Sequence, residues 1–515
     1  MLVFVVGCSG TPEITVKNEN IFSSKPPKLL SLEPKNNAKS SKRDATIVLN
    51  FNQSMDPLTL TVNSKDSQCS GTIQISTNNF SNCVRMNPPE LKAGGTKILV
   101  SPSAIFAAQK YHQVRLTTKI KTANGLTLKR NITVKPGFKT TWSQQIGTSG
   151  EDAGLAVFVD SKGHIYLTGH TSDGKSEATS DLFLAKYSAN GSLNWIQQPS
   201  FGHPVAAAVM QKNKSGNLSL SAFSQGINSS AVILVSYTKD GKKLFSKVIK
   251  FPARASGIGI AMDQDNHIYI PAAVPYNLMK IRKTGEIVWT TELSQKLKLQ
   301  AIAADTENAL FLTGNINHAL DGNVSKGGAD IFLMRISQMG PKRWSRTIGT
   351  PQNESGTALA VRTDGVLAIA GYLPQTKKYT ENSSEDRDAF VAKFSSKGRQ
   401  QWLHVFKGTK SEQSTVVLWT PEGGLLVAGY TESSLTEQSH FGQEDAFLAK
   451  LDSAGELLWL QQFGTAENDR ALGLALGAKG QIYITGFTEG RLDGAKHSGG
   501  KDIFLVQFSK DGEKQ

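Results

Sequence analysis

The residues able to do chemistry are a scatter of histidines and carboxylates. His170, His318, His440 and His497 lie in polar stretches, with Glu444 beside them and Asp321 and Asp493 nearby. Imidazole near neutral pH can move protons or bind metal. A metal site needs several ligands converging at short spacing, and neither a His-Xxx-Xxx-Xxx-His pair nor an EF-hand loop is present. No cofactor is expected, and Ca2+ is the one cation that the Asp/Asn loops could take. Leu320-Asp321-Gly322 and Leu492-Asp493-Gly494 recur in register, as architecture does. Five aspartates, Asp181, Asp330, Asp388, Asp445 and Asp502, also recur. A catalytic group is singular, whereas a periodic aspartate serves its repeat, by accepting local backbone N–H groups. Paired carboxylates for glycoside hydrolysis, a Gly-Xxx-Ser-Xxx-Gly elbow and a phosphate-cradling loop are not identifiable. No catalytic residue is assigned; His170, His318, His440, Glu444 and His497 are the candidate binding residues.

The elements that must position them are repeats. One unit runs from Thr141-Trp142 through Gly147-Thr148, Glu151-Asp152-Ala153, the strand Ile165–Gly169 and Asp181-Leu182-Phe183 to Asn190-Gly191 and Trp195. Its tryptophan returns as Trp289, Trp344, Trp402 and Trp459, with Phe245 once in its place and Trp419 out of register. The Asp-Xxx-Phe step returns at Asp330, Asp388, Asp445 and Asp502, and the Gly-ended strand at Gly314, Gly371, Gly429 and Gly486. Two units over about 201–295 are degenerate but keep the phase. Seven units of about 54 residues, each with four strand-like runs and no helical period, predict an all-β chain whose residues 141–515 form a seven-bladed β-propeller. The fourth strand missing after Gln515 is supplied by Thr141–Gly147, which closes the ring and removes exposed edges. The recurrent tryptophans Trp142, Trp195, Trp289, Trp344, Trp402 and Trp459 are read as packing between blades.

Within a blade the turns at Ser161-Lys162-Gly163 and Ala189-Asn190-Gly191 are tight and uniform. The Gly169–Asp181 connection and its counterparts 314–330, 371–388, 429–445 and 486–502 are long and variable. Variable loops on a rigid frame carry recognition, so that face is expected to bind. The five clear copies resemble the bacterial β-propeller repeat family often written SBBP, which implies the same fold. Ser188-Ala189-Asn190-Gly191 with Trp195 also resembles the Asp-box of sialidase propellers. Its spacing differs, and neither an arginine cluster nor a Tyr/Glu nucleophile is assignable.

Residues 27–139 read as a separate β-sandwich. Ala45–Phe51, Lys97–Ser101 and Tyr111–Thr117 alternate as strands, and Asn124-Gly125 makes a turn. The phrase Phe51-Asn52-Gln53-Ser54-Met55-Asp56, followed by the Tyr111 strand and Ala123-Asn124-Gly125-Leu126, resembles the bacterial Ig-like domain of surface proteins. Upstream, Val5-Val6-Gly7-Cys8 resembles a lipoprotein lipobox, which implies lipidation of Cys8; the apolar stretch is shorter than a signal peptide, so the true start is expected upstream. Residues 9–26 read as a polar tether. With Cys8 assigned to lipid by that resemblance, Cys69 and Cys83 remain, and an exported chain favours their oxidation. A reactive thiol pair is the alternative. The stretch from Cys69 to Val84 resembles an insertion of spirochaete-type surface lipoproteins.

Charge is local. The chain has a net charge of +14. Residues 1–140 hold 19 Lys/Arg against 7 Asp/Glu, and eight basic residues with no acidic one run from Lys110 to Lys139. An anionic neighbour or a solvated basic face accounts for this; without a nucleic-acid motif, nucleic acid is discounted. No apolar run reaches 18 residues, which excludes a conventional transmembrane helix. The expectation is a monomer anchored by lipid in the bacterial envelope, at the outer membrane and facing outward. Its propeller would recognise a host or envelope protein or a glycan. A glycan hydrolase or lyase, and a periplasmic assembly scaffold, are the alternatives.

Overall fold

The computed structural model describes residues 25–38, 41–104, 106–107, 110–172, 180–199, 205–212, 216–225, 230–251, 260–263, 265–271, 277–293, 297–305, 309–322, 324–375 and 386–515. Cys8 and the tether to residue 24 lie outside them. The chain divides into two units, Met1–Phe106 with Lys110–Lys139, and Ala107–Gln109 with Thr140–Gln515.

The first unit is an antiparallel sandwich. One sheet is ordered Leu29–Glu33, Ile47–Phe51, Lys97–Val100, Glu90–Lys92; the other Ile73–Ser76, Tyr111–Leu116, Ile132–Lys139. Alternation puts Ile47, Leu49 and Phe51 inside from one sheet and His112, Val114 and Leu116 from the other. His112 lies between Phe106 and Phe138, with ring centroids 4.7 and 5.3 Å away. Burial there lowers its pKa to about 4. Cys69 and Cys83 form a disulfide. In the chain-entropy model a loop this short gains about 3 kcal/mol from closure.

The second unit consists of seven four-stranded antiparallel sheets in sequence. Blade 1 runs Ala153–Val159, Ile165–Ser172, Ser180–Tyr187, Leu193–Gln197. Blade 2 runs Val205–Lys212, Leu218–Gln225, Ser230–Tyr237, Lys243–Phe251; blade 3 Ala261–Met262, Ile268–Pro271, Asn277–Ile281, Ile287–Glu292; blade 4 Leu297–Ala304, Leu310–Ile316, Asp330–Ile336, Lys342–Ile348; blade 5 Ser355–Val361, Leu367–Pro374, Arg387–Phe394, Gln400–Phe406; and blade 6 Glu412–Trp419, Leu425–Thr431, Asp445–Leu451, Leu457–Phe463. Blade 7 has Asp469–Leu476, Ile482–Thr488 and Asp502–Phe508, and takes Gln144–Ile146 as its fourth strand, with Ile146 opposite Ile503 and Gln144 opposite Leu505. The first strands pack on one another in order, blade 7 against blade 1 included, so the ring is closed by the N-terminal strand. Second strands are covered on both faces by neighbouring blades. In blades 1 and 4 to 7 they read as mainly apolar runs, and Ile482–Thr488 is buried at every position. Fourth strands face outward and alternate, as Gln400–Phe406 does.

Each tryptophan of a fourth strand packs under a turn of the next blade. Trp402 lies beneath Gly455, where a Cβ would come 2.6 Å from the indole, and Trp344 beneath Gly398 at 2.7 Å. Gly455 has φ +93°, so glycine serves both the turn and the contact. The indole N–H of Trp402 donates to the Ser453 carbonyl at 3.1 Å, that of Trp289 to Gln338 at 3.0 Å and that of Trp142 to Ala189 at 3.3 Å. Trp195 packs under Gly241 and Trp459 under Gly512 in the same way. Trp419, out of register, ends a first strand and reaches the Ala360 carbonyl of the preceding blade at 3.4 Å.

Candidate functional site

The repeated aspartates begin the third strands and hold the loops before them. Oδ2 of Asp330 accepts from the Lys326 N–H at 3.0 Å, that of Asp445 from Phe441 at 2.7 Å and that of Asp502 from Ser498 at 2.8 Å. His440 and His497 belong to the same arrangement. Their Nδ1 atoms lie 2.9 Å from Asp445 Oδ2 and 3.2 Å from Asp502 Oδ2, and Gln462 and Gln145 donate to the same oxygens at 2.7 and 2.8 Å. Asp388 and Asp181 begin their third strands and are half-buried. His318 is exposed on its loop, apart from the others. Part of the long loops, 173–179 and 376–385, lies outside the described residues.

A second set of acids starts the first strands. Asp152, Glu354, Glu412 and Asp469 are almost wholly buried, and each accepts from neighbouring hydroxyl or backbone donors, such as the Thr350 N–H to Glu354 at 3.1 Å. Each also feels a third-strand aspartate across the blade junction: Asp502, Asp330, Asp388 and Asp445 in turn. Burial, and then that like charge, pushes Glu412 up to about 7 and Asp469 up to about 6, and raises Asp152 and Glu354.

What differs from blade to blade is the residue just after the strand glycine. The opposing first strand bulges there, between Ser414 and Val416 in blade 6, and brings the Gln413 carbonyl to 2.0 Å from any Cβ at position 429. Only glycine fits, and the bulge turns the next side chain to the long-loop face. That residue is Tyr372, Tyr430 and Phe487 in blades 5, 6 and 7, and His170 in blade 1. Each ring in blades 5 to 7 carries a cation. Arg387 lies 4.4 Å over Tyr372, Arg470 4.2 Å over Tyr430 and Lys501 5.1 Å over Phe487. Arg470 is also gripped in bidentate fashion by Glu444, with Nη2 to Oε1 at 2.6 Å. Lys501 pairs with Glu151 at 2.6 Å. Burial, aided by Lys501, lowers the pKa of His170, whose buried Nδ1 has no hydrogen-bond partner.

Between these pairs lies a polar pocket of about 310 Å³, lined by Arg387, Ser411, Glu412, Gln413, Tyr430, Glu432, Glu444 and Arg470. Burial pushes the Tyr430 phenol pKa up, and its hydroxyl donates to Gln413 Oε1 at 3.1 Å. Of the sequence candidates, the structure brings Glu444 to this pocket and His170 to the same arc of the face. It does not bring His318, His440 or His497. Arg387, Tyr430 and Arg470 escaped sequence reading. The signal for Tyr430 is the variable position after a fixed glycine; Arg387 and Arg470 instead stand next to the strand-starting acids Asp388 and Asp469.

Among the described residues, one trio brings three possible metal-ligand atoms within 4.8 Å of one another: Asp263, Asp265 and His267 on the tight-turn face of blade 3. Asp263 already accepts from the Tyr269 hydroxyl at 2.8 Å and faces the Lys280 ammonium at 3.5 Å. Blade 1 repeats the arrangement with Asp160, His164 and the Lys212 ammonium at 2.9 Å. A lysine stands where a bound cation would, and the trio serves its turn.

Residues 23–142 match the family model of the bacterial Ig-like domain. The regulatory protein FlaEY of Caulobacter vibrioides is 30% identical over 185 residues, which is 32% of this chain. The match spans 19% of that relative's length. Among solved structures, virginiamycin B lyase of Staphylococcus aureus is 14% identical with a TM-score of 0.43, over 70% of this chain and 98% of that one. The Pan2 WD40 domain of Neurospora crassa is 10% identical with a TM-score of 0.40, over 71% and 97%.

Proposed function

We propose that the propeller is a recognition module that takes a host or envelope protein, or a glycan, on its long-loop face. The observation that carries this is the pocket between Arg387 and Arg470. It gathers guanidinium, phenol, amide and carboxylate groups at positions where the repeats differ, on a frame whose fixed residues serve the fold. The partial relative is named a regulatory protein, and regulation by binding is in keeping with this reading. The lipobox-like Cys8 and the basic Ig-like unit support a lipid-anchored envelope protein with that unit as a stalk, facing outward from the outer membrane.

A protein and glycan array probed with the wild type, Arg387→Ala and Glu444→Gln tests the site. Binding by the wild type that both variants lose supports it; binding that neither variant alters overturns it. Protease treatment of intact cells separates outward from periplasmic placement.

One observation favours a second reading, glycan hydrolysis or lysis. Glu412, held up to about 7, shares the pocket with Glu432, and two carboxyl groups in unlike environments can divide acid and base roles. Turnover of a glycan that Glu412→Gln abolishes would establish it.

A further inference from the structure

Blade 2 departs from the others along one row that crosses its second, third and fourth strands. In blade 1 the row is Tyr166, Lys186, Trp195; in blade 3, Tyr269, Lys280, Trp289; in blade 4, Phe311, Arg335, Trp344. Blades 5 and 6 keep the lysine and the tryptophan, as Lys393 with Trp402 and Lys450 with Trp459. In blade 2 the row is Ser219, Ser236, Phe245. An aromatic ring, a long cationic stem and an indole become two hydroxymethyl groups and a phenyl ring. Protein interiors close such deficits when they can. Here a cavity of about 360 Å³ remains between blades 2 and 3. That row lines it on one side, and Met262, Asn266 and Lys283 on the other. Its walls are mostly apolar, and Phe245 is 38% exposed at its mouth.

The neighbouring junctions show what such a space accepts. There an indole lies on the turn glycine, and in three of them its N–H meets the carbonyl two residues before that glycine: Ala189, Gln338 and Ser453. The matching turn of blade 3 ends in Gly285, at φ +86°, so the matching carbonyl is that of Lys283. A second acceptor is already buried in the cavity wall, because Asn266 Oδ1 has no hydrogen-bond partner. Over Gly285 itself stand Ile249 and the exposed Lys247, whose ammonium donates to the Thr284 carbonyl at 2.5 Å, so the cavity opens beside that glycine rather than on it.

We infer that the junction between blades 2 and 3 is a binding site for a planar aromatic group bearing one hydrogen-bond donor, an indole or a phenol, beside the turn on which the other blades lay their own tryptophan. A preformed apolar cavity with a few fixed polar groups has the size and make-up of a small-ligand site. The site lies on a different pair of blades from the long-loop pocket and does not depend on that reading.

Fluoroindole titrated with the full chain and followed by fluorine NMR tests the inference. The wild type is expected to give saturable broadening that N-acetyl-tryptophanamide reverses. Ser236→Lys with Phe245→Trp, which rebuilds the common row, is expected to abolish the effect and raise the melting temperature. Asn266→Gly, which keeps the left-handed backbone and removes the acceptor, is expected to weaken binding several-fold. Tighter competition by an extended peptide with a central tryptophan places the group on a polypeptide; equal or weaker competition places it on a free aromatic molecule. Absence of saturable broadening by the wild type, or undiminished binding by the rebuilt variant, overturns the inference.

Discussion

Arg387 and Arg470 do different work over matching rings, the first from the third strand of Tyr372's own blade and the second from the first strand of the blade after Tyr430's. Arg470 covers Tyr430 and neutralises Glu444, whose side chain is only 12% exposed. Arg387 covers Tyr372 and has no carboxylate within salt-bridge distance among the described residues. Arg470→Ala would strand a largely buried carboxylate, so a stability loss of about 1–2 kcal/mol is expected. Arg387→Ala should cost under about 0.5 kcal/mol, as for a surface side chain. Urea denaturation beside a ligand titration checks the contrast. If Arg387 meets the ligand, its variant keeps its stability and loses affinity; equal stability losses in both variants would defeat this assignment. Glu444 is visible in the sequence as an acid that the other repeats lack. Its partner is not, because Arg470 belongs to the next blade and reaches Glu444 across the junction. The histidines mislead for a related reason. His440 and His497 precede a repeated aspartate by the same interval, a sign of blade architecture that their residue type obscures.

Blades are legible because their strands differ in exposure. In blades 1 and 4 to 7 the second strands, covered on both sides, give mainly apolar runs that lead into a glycine, and Asn-Gly and Asp-Gly turns punctuate the repeats. The slot between blades is less legible, because it joins a tryptophan of one repeat to a turn of the next. Its stiffness can be isolated with two glycines. Gly455 has φ +93° and Trp402 against it, whereas Gly322 has φ +80° and open space around it. Gly322→Ala should therefore cost only the backbone term, about 1–2 kcal/mol. Gly455→Ala should add about 1–3 kcal/mol of overpacking against the indole. Denaturant midpoints of the two variants measure the difference, and equal losses would mean that the slot yields freely. The cavity between blades 2 and 3 illustrates what a linear reading misses. Ser219, Ser236 and Phe245 are unremarkable one by one and become a deficit only when strand register sets them in a row.

The two units respond to pH in opposite directions. All seven tryptophans lie between residues 142 and 459, so tryptophan fluorescence follows the propeller alone, while calorimetry follows both units. In the propeller, Glu412 and Asp469 bind protons more tightly folded than unfolded, at about 7 and about 6. Burial is the main cause; Asp388 and Glu432 add to it at Glu412, and Asp445 at Asp469. Their contribution is complete below the usual carboxylate range and is lost as pH rises through those values, and the raised Asp152 and Glu354 act with them; His170 and His404, whose pKa burial lowers, oppose these four carboxyls. Asp160 works the other way. Burial acts upward on it, but the Lys212 ammonium and His164 hold it down to about 2, so its contribution fades only in strong acid. In the Ig-like unit, burial keeps His112 neutral down to about 4, with Arg43 acting in the same direction and hydrogen bonds to the backbone at Lys110 and Phe138 opposing. An unfolded histidine protonates near 6.5, so that unit loses stability as pH falls from about 6.5 to 4. Moving from about pH 7.5 to about pH 5 should therefore raise the fluorescence-detected melting temperature and lower that of the tryptophan-silent calorimetric transition. Glu412→Gln should flatten the first trend and His112→Phe the second, each leaving the other in place. Parallel shifts of both transitions, or slopes that survive these substitutions, would show that other groups govern the pH response.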